Sequence, residues 1–265
     1  MKIAIVTGAS SGMGREFVKQ LSDYVAVDEI WVIARRAAAL ERLKTEVSVP
    51  VRPVPLDLCN SESFAELKAL LQAEKPDIRL LVNAAGFGKF GDFWQIPLEE
   101  DCRMIDLNCK ALVAVTRVCL PFMKRGSHIL QLDSLSAFQP VPYITTYAAT
   151  KSFVLSYTRS ANRELRPTGI RMMAMNPGWV KTEFFDHALQ TNGSKVQYYN
   201  YLYEAADVVA TGLKDLYKTK KEYSVHGFPI RMQVRLVKCL PHNIVMSIWT
   251  NQQKKPKNNQ NLTTK

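Results

Sequence analysis

The sequence predicts an α/β fold: one domain built on a doubly wound parallel sheet with helices on both faces. Three observations carry this. Short runs of continuous apolar residues alternate with longer segments of helical period from residue 3 to residue 175, the pattern of parallel strands buried on both faces. No linker-like stretch and no internal repeat interrupts the alternation. The 265 residues, 47% hydrophobic and 22% charged, suffice for one large domain and are too apolar for a disordered chain.

The elements follow in order. Ile3–Val6, bounded by Gly8, is a buried strand, and Met13–Leu21 places Phe17, Val18 and Leu21 at helical spacing. Ile30–Ile33 is the second strand. Ala37–Val47 is a helix with Leu40, Leu43 and Val47 on one face. Val51–Leu56 is a short strand whose prolines forbid a fully paired ladder on their N–H side. Ser61–Leu71 is a helix with Ser61 as its expected N-cap. Leu80–Val82 is a strand, about 98–123 one long helix, Ile129–Leu132 a strand, Tyr147–Leu165 a helix and Ile170–Met175 a strand. The organisation expected is a catalytic domain over 1–227, an amphipathic extension over 228–253, and a disordered tail over 254–265.

The turn after the first strand has the most to say. Gly8, Ser10, Ser11, Gly12, Met13 and Gly14 sit between that strand and the first helix. Glycine permits a tight turn and close backbone approach, and free N–H groups at a helix start suit a pyrophosphate. At the end of the second strand stand Arg35 and Arg36, with no acidic residue before Glu41. An acid there would bind the ribose hydroxyls of NAD, whereas a guanidinium matches an added phosphate. The pattern therefore favours NADP(H) as cofactor.

Tyr147 and Lys151 are four residues apart and share a helix face. A tyrosine with a reference pKa of ~10 shuttles protons near neutrality only if something such as an ammonium stabilises its phenolate. Tyr217 and Lys221 repeat the spacing, but only Tyr147 has a serine, Ser134, thirteen residues earlier at a strand end. The second pair reads as a solvated helix end.

Taken together, Thr7 to Gly14, Asp57-Leu58, Asn83-Ala84-Ala85-Gly86, Asn108, Ser134, Tyr147 with Lys151, and Asn176-Pro177-Gly178 with Thr182 resemble the short-chain dehydrogenase/reductase family in its single-domain branch. The resemblance runs from Met1 to about Gly227. It implies a Rossmann fold with seven strands. It implies a catalytic tetrad of Asn108, Ser134, Tyr147 and Lys151, in which Lys151 lowers the tyrosine pKa and binds the nicotinamide ribose while Asn108 fixes a water. It further implies cofactor contacts from Asp57, Leu58, Asn83, Ala84 and Gly86, and from Pro177, Gly178, Val180 and Thr182 at the nicotinamide end. Ala84 departs from the asparagine usual there. The implied reaction interconverts a secondary alcohol and a ketone, and the family tends to form homodimers or homotetramers.

Substrate contacts are expected from loops at the carboxyl ends of the strands: Phe87, Leu135, Ser136, Tyr143, Trp179 and Phe184, with Phe138 and Phe185 nearby. Tyr198, Tyr199, Tyr201 and Tyr203 follow the Gly-containing stretch Thr191–Ser194, which reads as flexible, and could form part of a lid. These apolar groups fit a bulky hydrophobic substrate, such as a hydroxysteroid or bile acid. A 3-oxoacyl thioester on a carrier protein or CoA is the enzymatic alternative. An NADP-sensing binding protein is the non-enzymatic one, against which the intact tetrad stands.

The net charge of +11 is unevenly placed. From Lys214 to Lys265 eleven basic residues face two acidic ones, so this fifth of the chain carries +9 and the first 213 residues only +2. No nucleic-acid recognition motif accompanies the charge. In the extension Arg231, Arg235 and Lys238 recur on one helix face until Pro241 breaks it. Such a segment is expected to cover the active-site mouth or pack between subunits, ahead of lying on an anionic membrane. Five cysteines without a C-x-x-C pair read as reduced thiols of a cytoplasmic protein, with neither zinc nor another metal site. Four apolar residues at the start are too few for a signal-peptide core of ~7–15.

Overall fold

The computed structural model describes residues 1–189 and 195–254. Strands β1 (Lys2–Thr7), β2 (Glu29–Ala34), β3 (Val51–Pro55), β4 (Asp77–Asn83), β5 (Met123–Leu132) and β6 (Arg171–Met175) alternate with helices α1 (Gly12–Gln20), α2 (Ala37–Arg42), α3 (Glu62–Glu74), α4 (Leu98–Ile105), α5 (Leu112–Cys119) and α6 (Thr145–Leu165). Beyond them lie β7 (Trp179–Lys181), α7 (Phe184–Ala188), β8 (Leu202–Glu204), α8 (Ala205–Lys218), β9 (Tyr223–Ser224), α9 (Phe228–Cys239) and α10 (His242–Gln253). The central sheet is parallel in the order β3-β2-β1-β4-β5-β6-β9, while β7 and β8 form a separate pair.

The apolar runs are continuous because each strand feeds two cores. Ala4 and Val6 point to one side, with Phe17 and Val18 of α1 and Val208, Val209 and Leu213 of α8. Ile3 and Ile5 point to the other, with Leu67 and Leu71 of α3 and Val115 and Cys119 of α5. This is the two-residue period of a strand expressed on both faces at once. Each fully buried aliphatic side chain contributes about 1.5–3 kcal/mol, so the sheet centre is rigid. The order reverses between β1 and β4, which opens a crevice at their carboxyl ends.

Four local expectations need correction. The helix expected over 98–123 is broken: a π-helical turn occupies Asp106–Ala111, and Pro121 closes a short 3-10 turn before Met123 starts β5. Proline lacks the N–H a helix needs. The strand expected at Ile129 thus begins six residues earlier, through exposed Lys124, Arg125 and Gly126, which give no apolar signal. Ser61 makes no cap bond; Asn60 Oδ1 accepts from the N–H of Glu62 at 3.0 Å instead. The pair Tyr217 and Lys221 is solvated only at its lysine. Tyr217 stacks on Tyr24 and meets His128 at a tilt with its hydroxyl buried, whereas Lys221 is exposed and pairs with Asp215 at 2.8 Å.

No helix among the described residues is long and apolar enough to cross a membrane. The stretch Thr191–Ser194 and the tail beyond Lys254 lie outside the described residues.

Candidate active site

The glycine turn is built as its residues require. Gly8 has φ +67° and Gly12 φ +50°. A Cβ on Gly8 would lie 2.8 Å from the backbone of Ala84, and one on Gly14 would lie 2.2 Å from the carbonyl of Gly8. Any side chain at these positions would fill the cradle or push the turn from the sheet. Ser11 precedes α1 without a side-chain cap, and the first turn holds no acid, so the N–H groups there face outward with the positive end of the helix dipole. The turn opens on a groove at the crevice. Gly8, Ser10, Ser11, Gly12, Met13, Gly14, Arg35, Arg36, Asp57, Leu58, Ala84, Gly86 and Thr182 all line it. Arg36 donates to Ser10 Oγ and makes an exposed ion pair with Glu183 at 3.4 Å. A dinucleotide fits this donor set.

Asn83 is the exception. Its amide turns inward and donates to Thr116 Oγ1 at 3.0 Å, so it supports the strand end and does not line the groove. Thr7 Oγ1 accepts from the N–H groups of Ala84 and Ala85 at 3.1 Å each, which holds the adjoining loop open.

Ser134, Tyr147 and Lys151 converge at the carboxyl end of β5. Ser134 Oγ accepts from the N–H of Ser136 and from its hydroxyl, at 3.2 and 3.0 Å. Burial raises the Tyr147 phenol above its ordinary pKa, a hydrogen bond with Ser134 opposes this, and the Asp133 carboxylate adds to it. Lys151 does not act as expected in this arrangement. Its ammonium lies 5.6 Å from the centre of the tyrosine ring and donates to the carbonyl of Leu132 at 2.8 Å. Burial holds Lys151 below its ordinary value.

Asn108, in the π turn, is 1% exposed. Its Oδ1 accepts from the N–H of Phe87 at 3.0 Å and its Nδ2 donates to the carbonyl of Phe87 at 2.9 Å and to Thr150 Oγ1 at 3.0 Å. Thr150 in turn donates to the carbonyl of Tyr147 at 2.7 Å. A Cβ on Gly86 would lie 2.9 Å from Asn108 Oδ1 and 3.7 Å from Lys151 Nζ, so glycine there brings the tetrad residues against the groove.

A second, apolar cavity opens on Ser134, Tyr147 and Lys151. Of the substrate contacts expected, Leu135, Ser136, Trp179 and Phe184 line it; Pro177, Gly178 and Val180 also face it. Phe87 lies instead on the groove side, under Arg103. Tyr143 lines neither space: its backbone takes φ +69° and its ring lies beside Lys195. Phe138 packs on Tyr223. Tyr198 reaches the cavity, whereas Tyr199 is buried behind it and Tyr203 packs on His226.

Several lining residues were not foreseen. Phe90, 0% exposed, packs edge-on against Tyr147, Trp179 and Phe184 with ring centres 5.9–6.3 Å apart. The extension closes the far wall: Gln233, Trp249 and Gln252 line the cavity. Trp249 stacks on Trp179 and donates to the carbonyl of Pro142 at 2.9 Å. Gln253 Oε1 accepts from the N–H groups of Gln197 and Tyr198 at 2.9 and 3.0 Å, and Asn200 donates to Gln233 at 3.2 Å. The extension thus forms one wall of the cavity, held by two glutamines. Asp133, 2% exposed beside Ser134, also lines the cavity, and only its position in the sequence hinted at it.

Comparison with known proteins agrees in kind. The sequence model of the family described as short chain dehydrogenase matches residues 2–193. An uncharacterised oxidoreductase of Myxococcus xanthus is 31% identical over 249 residues, covering 91% of this chain and 93% of its own. An alcohol dehydrogenase of the archaeon Thermococcus sibiricus, solved with 5-hydroxy-NADP, superposes with a TM-score of 0.71 at 25% identity, covering 85% of this chain and 96% of that one. A 3-ketoacyl-(acyl-carrier-protein) reductase of Brucella melitensis, solved with NADH, does so with a TM-score of 0.69 at 26% identity, covering 81% and 90%.

Proposed function

The chain belongs to the short-chain dehydrogenase/reductase family of oxidoreductases, and on that premise we propose that it interconverts a secondary alcohol and a ketone on a bulky hydrophobic scaffold, with NADP(H) as cofactor. One observation carries the reading. The glycine-lined groove and the apolar cavity are joined, since Met13, Ala84, Gly86, Leu132, Thr182 and Phe184 border both, and Ser134, Tyr147 and Lys151 line the cavity that opens on that border. A ligand in the cavity therefore presents its reacting carbon toward the groove.

A bound nicotinamide supplies or accepts the hydride. The chain does the rest. Ser134 donates a hydrogen bond to the substrate oxygen, and Tyr147 gives or takes the proton at that oxygen. Lys151 Nζ lies beside Gly86, which borders both spaces, and with one donor given to the Leu132 carbonyl it has two left for a ribose. The aromatic wall of Phe90, Trp179, Phe184 and Trp249 excludes water and takes up fused or extended apolar rings. Gly8 to Gly14 would hold the pyrophosphate, and Arg35 and Arg36 would hold the additional phosphate. The solved relatives carry both nicotinamide types, so the two arginines are what favour NADP(H) here.

The reading extends to assembly and surroundings. Phe153 is exposed on α6 and stacks on Tyr157, an outer apolar face that favours a homodimer or homotetramer. All five cysteines are free, in keeping with a reducing cytoplasm.

The test is NADPH oxidation against ketosteroids, oxo-bile acids and 3-oxoacyl thioesters. Turnover of a ring ketone at least tenfold above the thioesters is the expected result. Preference for the thioesters would move the protein to the activity named for its Brucella relative, and no turnover with any ketone would sink the reading.

A further inference from the structure

The cap helices have an outer side that the active site does not explain. On α9 the inner row Ile230, Val234 and Val237 is buried against the body. Opposite it stand Phe228, Met232 and Leu236, at i, i+4 and i+8, with 66%, 43% and 60% of their surface exposed. Beside that apolar row runs a second, Arg231, Arg235 and Lys238. On α10 the pair Ile244 and Ile248 is also exposed. Solitary exposed apolar residues are ordinary, but rows of them on neighbouring helices mark an interaction surface.

The charge around these rows names the partner. From Tyr223 to Lys265 the sequence contains no aspartate or glutamate. Among the described residues, Arg231, Arg235 and Lys254 enter no ion pair, and Lys238 is engaged only by the Tyr223 hydroxyl and the rings of Phe138 and Tyr223. A second copy of the same face would set cations against cations, so self-association there is disfavoured. An apolar strip rimmed by uncompensated cations is complementary to an anionic lipid surface, where apolar side chains enter the acyl boundary and cations meet headgroup phosphates.

We propose that the outer face of α9 and α10 docks the protein on anionic membrane surfaces. The same two helices line the cavity through Gln233, Trp249 and Gln252, so docking sets the cavity wall beside the lipid. A hydrophobic substrate dissolved in the bilayer then has a short path to Tyr147. The docking itself depends on neither the cofactor nor the substrate identity argued above.

The experiment is flotation of the full-length protein with vesicles of phosphatidylcholine alone and of phosphatidylcholine with phosphatidylglycerol, at low and high salt, alongside its size by gel filtration. The expected result is flotation with the anionic vesicles only, released by salt. Arg231→Gln with Arg235→Gln should cut the bound fraction constant roughly 10- to 30-fold, at about 1 kcal/mol per cation. Phe228→Ser with Leu236→Ser should abolish binding, and both variants should retain NADPH binding. Lys255, Lys257 and Lys265 are present in every variant, so the difference reads the helix alone. Protein that stays at the bottom, binds neutral vesicles equally, or loses a dimer in place of vesicle binding when Leu236 is changed overturns the proposal.

Discussion

Asn108 clamps Phe87 by both of its backbone polar groups, accepting from its N–H at 3.0 Å and donating to its carbonyl at 2.9 Å. The side-chain amide thus acts as one rung of a sheet for a loop that has no strand beside it. That loop carries Gly86, which both the groove and the cavity share. The π turn that holds Asn108 is what aims it there; such turns often mark functional positions.

Asn108→Ala should therefore loosen the Gly86–Phe87 loop. Two backbone groups and Thr150 lose a partner, which costs about 1–3 kcal/mol of stability. We expect a lower thermal midpoint together with NADPH binding weakened several-fold. Thermal unfolding and cofactor titration measure the two. A variant with normal cofactor binding would show the clamp to be structural only.

Arg36 lies at the groove with Ser10 and Glu183 as partners. Arg36→Ala should raise the Kd for NADPH about tenfold, near 1.4 kcal/mol for one lost charged contact. NADH should bind as before. Titration of both cofactors by fluorescence decides this, and an equal loss for both would remove Arg36 from phosphate recognition.

The raised pKa of Tyr147 predicts a directional pH response. A phenol held above its ordinary value is protonated throughout the neutral range, so ketone reduction finds its acid ready and the tyrosine contributes no pH dependence to it there. Alcohol oxidation needs the phenolate, so its kcat/KM should climb with pH through the alkaline range. Tyr147→Phe should retain NADPH binding and lose turnover by ~10²–10⁴-fold or more. An oxidation rate already level at neutral pH would contradict the assignment.

Asp133 supplies the fourth expectation. Its carboxyl is buried with Oδ1 unpartnered, while Oδ2 accepts from the amide of Asn176. Burial pushes it up to about 8, against the pull of Lys151 and of the Asn176 hydrogen bond. The folded state then holds a proton that the unfolded state releases near its ordinary ~3.9, so this group lowers stability as pH rises from about 4 to 8. Asp133→Asn should leave stability near pH 4 almost unchanged and raise it by roughly 1–3 kcal/mol at pH 8 and above. Denaturant unfolding at the two pH values measures the difference; equal midpoints shifts at both would dismiss the buried acid as the cause.

The residues most readable in advance were those whose chemistry is local. Gly8, Gly12 and Gly14 announce their turn because only glycine meets the φ and the contacts required there. Ile3–Val6 and Ile30–Ile33 announce buried strands because both faces demand apolar groups. Tyr147 was separated from Tyr217 by the position of Ser134 relative to a strand end. The long helix expected over 98–123 failed for the opposite reason: its apolar spacing continues smoothly through a π turn and a proline, so the pattern hid where the chain changes shape. Lys124 to Gly126 hid the start of β5 because an exposed strand end needs no apolar residue.

The amino-acid order was thus enough for the doubly wound sheet, the glycine cradle and Arg35 and Arg36 after the second strand. Periodicity and turn chemistry act over a few residues, and each of these features is decided within that span; Asn108, Ser134, Tyr147 and Lys151 lie far apart in the sequence and were legible as a set only through the family resemblance. The arrangement in space was decided elsewhere. That Asn83 turns inward to Thr116, that Lys151 meets the Leu132 carbonyl and not the phenol, that Tyr143 misses the cavity and Trp249 enters it, and that Phe228 and Leu236 are left outside, all depend on where loops and helices from separate parts of the chain come to rest. Packing places them, because a side chain's direction is fixed by the neighbours that exclude it from every other position.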